Sequence, residues 1–178
     1  MVTSSEILDH VHQLRRYARM LTGTPVDADD LVQSTLEKAV RSAGQFVDGR
    51  NLRVWLFSIM HNTFRSSIRE NRSRRDRETS WSEHIAPTVA GTQETSAELT
   101  RVLGAIAKLP PQQREVLLLV SVEGFGTDEI AAAMDIPVGT VRSRLARGRE
   151  ALRQLLEDED EDRSPVIPLT VVGGRNVQ

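Results

Sequence analysis

Residues 127–156, TDEIAAAMDIPVGTVRSRLARGREALRQLL, decide how the rest of the chain is read. Ile130, Ala133 and Met134 give a first helix one apolar face, and Asp135-Ile136-Pro137 breaks it. Pro137 suits the first turn of a second helix, where its missing N–H costs nothing. In that helix Val138, Val141, Leu145, Leu152 and Leu156 recur at helical spacing and predict one narrow buried stripe. Thr140, Ser143, Arg144 and Arg147 project from the opposite side, while Arg142, Arg149 and Arg153 flank the stripe. Small polar and arginine side chains on the outward N-terminal half are what a helix lying in the major groove needs. Arginine offers a bidentate fork to guanine O6 and N7 and to phosphate oxygens. A solvating face usually mixes signs, but residues 137–156 hold five arginines against one acid, Glu150. The stretch therefore predicts a DNA-binding helix-turn-helix.

A chain of 178 residues makes one ordinary domain or two small ones. With 39% apolar and only 4% aromatic residues, its interior is expected to be mostly Leu, Ile, Val and Ala. The absence of cysteine excludes disulfides and thiolate zinc sites. No apolar run reaches membrane-spanning length and the N-terminus lacks a signal pattern, so a cytoplasmic protein without membrane contact is expected. The net charge of −2 conceals segregation: residues 46–77 carry eight basic and three acidic side chains, and residues 157–178 carry six acids and two arginines. Two separated basic patches on a chain without overall positive charge predict two places of contact with nucleic acid.

Upstream, Ile7, Val11, Leu14, Ala18 and Leu21 form one helix face that ends near Gly23. Thr24-Pro25 opens a second helix, with Asp27 complementing its dipole. Leu31, Thr35, Ala39 and Ala43 supply its inner face, joined by Val32, Leu36 and Phe46. After a turn over 46–51, Asn51 is the expected N-cap of a third helix, LRVWLFSIMHNTFRSSIRENRSRR. That helix starts apolar (Leu52, Trp55, Leu56, Ile59, Met60) and becomes basic after His61. Residues 76–96 lack periodicity and read as a flexible linker, with Trp81 an oddity in it. A further helix over 94–109 uses Leu99, Val102, Leu103 and Ile106, and Pro110-Pro111 opens the next, running to about Val122. The tail from Glu157, six acids followed by prolines and Gly-Gly, reads as disordered. His10, His12, His61 and His84 show no ligand spacing, and no nucleophile–base pattern or phosphate loop occurs. Neither an enzyme nor a cofactor is expected.

Three blocks, DADDLVQSTLEKAV, NLRVWLFSIMHNTFRSSIRENRSRR and LPPQQREVLLLVSVEGFGTDEIAAAMDIPVGTVRSRLARGREAL, resemble an extracytoplasmic-function (ECF) RNA polymerase sigma factor. The wording DGRNLRVWLFSIMHN and the LLLVSVEGF block look most like the alphaproteobacterial general-stress group. The resemblance implies an all-α chain of two small helical domains: region 2 over 1–75, a linker over 76–96, region 4 over 97–156, and a tail over 157–178. It implies that Asp30, Leu31, Val32, Gln33 and Leu36 bind the β′ clamp helices of core RNA polymerase, with Val, Gln and Leu presented beside the acids. The β flap is the second polymerase contact so implied. It further implies that Arg50, Asn51, Asn62, Arg65 and Arg69 handle the melted −10 element, Asn62 reading a flipped base with its paired donor and acceptor. Pro137, Thr140, Arg142, Ser143, Arg144 and Arg147 would read the −35 duplex. One departure stands out: many members carry an Arg-Glu pair where this chain has Val120-Ser121. An anti-sigma protein is the expected partner. Two rivals remain: a sigma-like decoy that sequesters an anti-sigma protein, and an ordinary helix-turn-helix regulator.

Overall fold

The computed structural model describes residues 2–77 and 97–163, and within them the side chains of 2–70 and 97–159. Every regular element among these residues is helical. The expectations for residues 78–96, including Trp81 and His84, and for the tail beyond 163 lie outside the described residues.

The first apolar face, read as one helix, is carried by two. α1 (Ser4–Leu8) is closed at its start by a capping box between Thr3 and Glu6, and α2 spans Val11–Thr22. At the break the His10 N–H donates to Ile7 O at 3.2 Å, an i−3 bond that tightens the turn without reversing the chain. The stripe therefore continues through it, with Ile7, Leu14, Ala18 and Leu21 all buried. Gly23, at φ 80°, ends α2 in the left-handed conformation that favours glycine. α3 (Pro25–Arg41) starts on Thr24, whose Oγ1 accepts from the Asp27 N–H, and a short 3-10 turn over Ala43–Gln45 follows. α4 (Leu52–Arg77) is capped as expected: Asn51 Oδ1 accepts from Arg53 N at 3.0 Å and Val54 N at 3.3 Å. Leu56, Phe57, Met60 and Phe64 turn α4 onto α2 and α3, with Tyr17 edge-on to Phe57 at 5.2 Å.

The second group is α5 (Ala97–Lys108), α6 (Pro111–Ser121), α7 (Thr127–Met134) and α8 (Val138–Arg163). Asp135 ends α7 at φ 52°, ψ 51°. Pro137 proves to be the cap of α8 and not its first residue, since its carbonyl accepts from Thr140 N at 2.8 Å and Val141 N at 3.2 Å. Along α8, Val141 and Leu145 are buried, while Val138, Leu152 and Leu156 are half-buried. Gly148 completes this stripe, because α6 crosses so closely that a Cβ here would lie 3.3 Å from Gln113 Cβ.

Two findings depart from the sequence reading. α8 runs on through the acidic run to Arg163, where disorder was expected from Glu157. Arg153 Nη1 donates to both Glu157 oxygens (2.6 and 2.8 Å), and Lys108 Nζ reaches Glu159 at 2.7 Å, relieving the repulsion that composition alone suggests. The second departure concerns the two helical groups, which pack on each other: α4 lies against α7, and α2 against α5 and α6.

Candidate nucleic-acid interface

The outward side of α8 is built by its inward one. Burying Val141 and Leu145 turns Arg142, Ser143 and Arg147 to solvent and leaves Thr140 and Arg144 half-exposed at the edges. Ser143 Oγ donates to Thr140 O at 3.0 Å, and Arg147 folds back along the helix to Ser143 O and Oγ, both at 3.2 Å. Arg142, Arg144 and Arg147 have no carboxylate partner among the described residues. Arg153 is different: it is clamped between Glu150 and Glu157, whose hydrogen bonds push its pKa up. Its own bond in turn lowers that of Glu150. The basic face thus keeps its charge on the N-terminal half of α8 and is neutralised further along, a distinction the sequence pattern alone did not draw.

On α4 a second outward stripe, Asn62, Arg65 and Arg69, is exposed at i, i+3 and i+7. These three share one face. Arg50 is exposed in the preceding loop, where Gly49 takes φ 87° to make the turn. Asn51 is less available: its Oδ1 caps α4, and its Nδ2 donates to Glu129 Oε1 on α7 at 3.3 Å. Trp55 packs edge-on to Phe46 at 5.3 Å and is half-buried, in keeping with a core role.

The α3 set divides. Asp30 and Gln33 are exposed, but Val32 and Leu31 are 3% and 6% exposed and Leu36 is half-buried, so these apolar side chains face inward and are not displayed beside the acids. The apolar surface α3 does present is Val26 and Val40. With Asp30, Gln33 and Glu37 they step by four, three, four and three residues along one exposed face. That periodicity was available in the sequence and was hidden by the stronger inward pattern beside it.

Between the two groups lies a polar seam that sequence reasoning missed. Glu123, fully buried in the turn after α6, accepts from Arg16 of α2 at 2.9 Å and from Arg53 of α4 at 3.0 Å. His61 Nδ1 and Glu115 Oε1 meet at 2.7 Å, both nearly inaccessible. Burial, reinforced by the Glu115 and Glu123 charges, drives the Tyr17 hydroxyl well above its ordinary pKa. Arg114 donates to Leu21 O across the seam at 2.8 Å and to Ala107 O and Leu109 O on its own side. Burial lowers its pKa. Among the described residues no cluster of His, Asp or Glu could hold a metal ion, and no helix is long and apolar enough to cross a membrane.

Comparison with known proteins places these faces in a family. Residues 7–61 match the family described as the Sigma2 domain of PhyR, and residues 99–152 match sigma-70 region 4. The ECF RNA polymerase sigma factor EcfG of Rhodopseudomonas palustris is 39% identical over 173 residues, covering 96% of this chain and 94% of that protein. The RNA polymerase sigma factor CarQ of Myxococcus xanthus is 32% identical over 83% of this chain and 84% of its own. Among solved structures, the sigma factor RpoE of Bartonella quintana, in complex with the anti-sigma factor NepR, superposes with a TM-score of 0.75 at 34% identity. That match covers 86% of this chain and 95% of the other. With two helical groups matching the two sigma regions in order, and a full-length relative at this identity, the chain belongs to the ECF family of RNA polymerase sigma factors.

Proposed function

We propose that the chain joins core RNA polymerase and directs it to promoters, reading −35 as duplex with α8 and −10 as parted strands with α4. One observation carries this: a single chain exposes two separate arginine faces without carboxylate partners among the described residues, Arg142, Arg144 and Arg147 on one helix and Arg65 and Arg69 beside Asn62 on another. The α8 face suits groove edges and phosphates, with Pro137 and Thr140 at the helix start toward the backbone. Asn62 offers a donor and an acceptor to a base out of the stack, with Arg65 about one turn and Arg69 about two turns along for its phosphates. Two modest contacts on one chain gain avidity by being joined.

The polymerase contact falls on the outer face of α3, where Asp30 and Gln33 stand with Val26 and Val40, and on region 4 for the β flap. RNA synthesis stays with the polymerase, so this chain confers specificity and is not itself an enzyme. RpoE is solved with the anti-sigma factor NepR, and CnrH with the cytosolic domain of CnrY, which supports an anti-sigma partner here. A decoy would have no need to keep Arg142, Arg144 and Arg147 unpaired, and a simple repressor leaves the α4 face without a task. Transcription by core polymerase on genomic fragments, with and without the chain, tests the proposal. Discrete new transcript starts sharing upstream elements are expected, and their absence would refute it.

A further inference from the structure

We infer that the cleft between α2 and α5 is a binding site for a nucleoside polyphosphate, made of residues that neither proposed DNA face uses. α2, VHQLRRYARMLT, carries three arginines and a histidine and no acid. His12, Arg15, Arg16 and Arg19 fall at i, i+3, i+4 and i+7, so all four share one face within about 10 Å of helix. That face lines a cleft of about 560 Å³ whose other wall includes Leu103 and Ala107 of α5. Sites for small molecules commonly enclose about 300–1,000 Å³. Arg16 is held by Glu123, and Arg15 meets Asp29 at 3.5 Å in a pair open to solvent. His12 and Arg19 have no side-chain partner among the described residues, and both are exposed.

The lining selects the chemistry of the ligand. Among the described residues it contains no carboxylate, which disfavours a cation. It contains no hydroxyl or amide side chain either, so the hydroxyls of a neutral sugar would find guanidiniums that donate and cannot accept. What remains is clustered positive charge facing apolar surface, which calls for dense negative charge on an apolar body. A phosphate brings about −1.5 to −2 charge and three acceptor oxygens, whereas a carboxylate brings one charge and two oxygens. Cations packed this closely are better matched by consecutive phosphates than by an acidic helix, which returns a carboxylate to one face only about once per turn. A guanidinium meets phosphate oxygens with a two-pronged fork, and its plane also stacks on a nucleobase. A purine can therefore lie between Leu103 and the arginine wall while its phosphates run along His12, Arg15 and Arg19. Displacing Asp29 from Arg15 forfeits little, because the pair is solvent-exposed. Arg16 stays with Glu123.

The site stands independently of the promoter reading. Titration calorimetry of the full-length chain in magnesium-free buffer, at about 0.15 M salt, uses ATP, inorganic triphosphate and adenosine as probes. ATP should bind about tenfold or more tightly than triphosphate, which has the charge without the apolar body, and adenosine should not bind. Arg15→Gln with Arg19→Gln should weaken ATP by about tenfold or more. Leu103→Gln should bring ATP down toward triphosphate and leave triphosphate as it was, with circular dichroism confirming the helices of each variant. Equal affinities for ATP and triphosphate, or an ATP site that survives both variants, would overturn the inference. So would loss of ATP binding on Arg142→Gln with Arg144→Gln, which would put the nucleotide on α8. Displacement of ATP by a glutamate-rich peptide at a lower concentration than by triphosphate would make the cleft a protein-docking groove instead. In the unsubstituted chain, ATP should shift the His12 ring-proton resonance, identified by its disappearance in His12→Gln. A His12 signal unmoved at saturating ATP would equally refute the site.

Discussion

His61 and Glu115 offer a measurement of the seam that requires no DNA. The pair joins α4 to α6 at 2.7 Å with side chains 4% and 2% exposed, so neither partner can turn to water without the helices moving apart. His61→Leu leaves a buried carboxyl without its imidazole donor. The expected loss of stability is therefore about 3–5 kcal/mol, the range for breaking a buried pair from one side. Glu115→Leu instead strands a buried imidazole lacking one hydrogen bond, at about 1–3 kcal/mol. The double variant replaces both with apolar groups of similar size, and it also removes His61 Nε2, a buried nitrogen with no protein partner. It should cost less than His61→Leu alone, giving a coupling energy of about 2–3 kcal/mol across a pair 54 residues apart. Urea unfolding of the full-length chain, followed by circular dichroism, reads all four corners of the cycle. Additivity within about 0.5 kcal/mol would mean that the two side chains do not meet in solution, and the packed arrangement would fall with them.

Tyr17, the sole tyrosine, should ionise in the folded chain only above its ordinary value of 10.0. Because its folded pKa is raised, its contribution to stability is complete below about pH 10 and is lost as pH climbs toward the folded value. Tyrosinate absorbance should rise late in the native chain and at the ordinary pH in urea, and Tyr17→Phe should weaken the alkaline loss of stability; an ordinary native titration would contradict the burial. Gly148→Leu should force α6 from α8 and cost about 1–3 kcal/mol, read by thermal unfolding, whereas an unaffected midpoint would show the crossing to be loose. Arg144→Ala should weaken −35 duplex binding by about 1–3 kcal/mol with relaxed sequence preference if it reads a base, or lower the salt slope by about 0.9 if it holds a phosphate. A binding titration in which neither changes removes Arg144 from the interface. Asn62→Ala should impair strand opening, followed by permanganate footprinting, more than duplex binding, and equal losses would deny it a base pocket.

The contrast between what was legible in the chain and what was not follows the range of the interactions. Val141 and Leu145 declare the buried side of α8 because helical period converts spacing into a face, and the arginines opposite them inherit their exposure from that choice. Asn51 and Thr24 declare the starts of α4 and α3 because a cap is made with backbone two or three residues away. Where local signals compete, the stronger hides the weaker. Leu31, Val32 and Leu36 sit in a motif that invites a partner, yet they also satisfy the inward period of α3, and burial wins. The acidic run from Glu157 looked incapable of order because its main-chain neighbours repel. Part of the relief, Arg153 four residues back, was in view, but Lys108 lies 51 residues away. Glu123 is the limiting case. By sequence it is an ordinary turn acid before a glycine, and its arginines are 70 and 107 positions distant, among many others equally suited to solvent. Only the docking of α4 on α7 and of α2 on α6 selects Arg53 and Arg16 for it. A contact decided by docking is absent from any local pattern, and for the same reason it is lost when docking is undone.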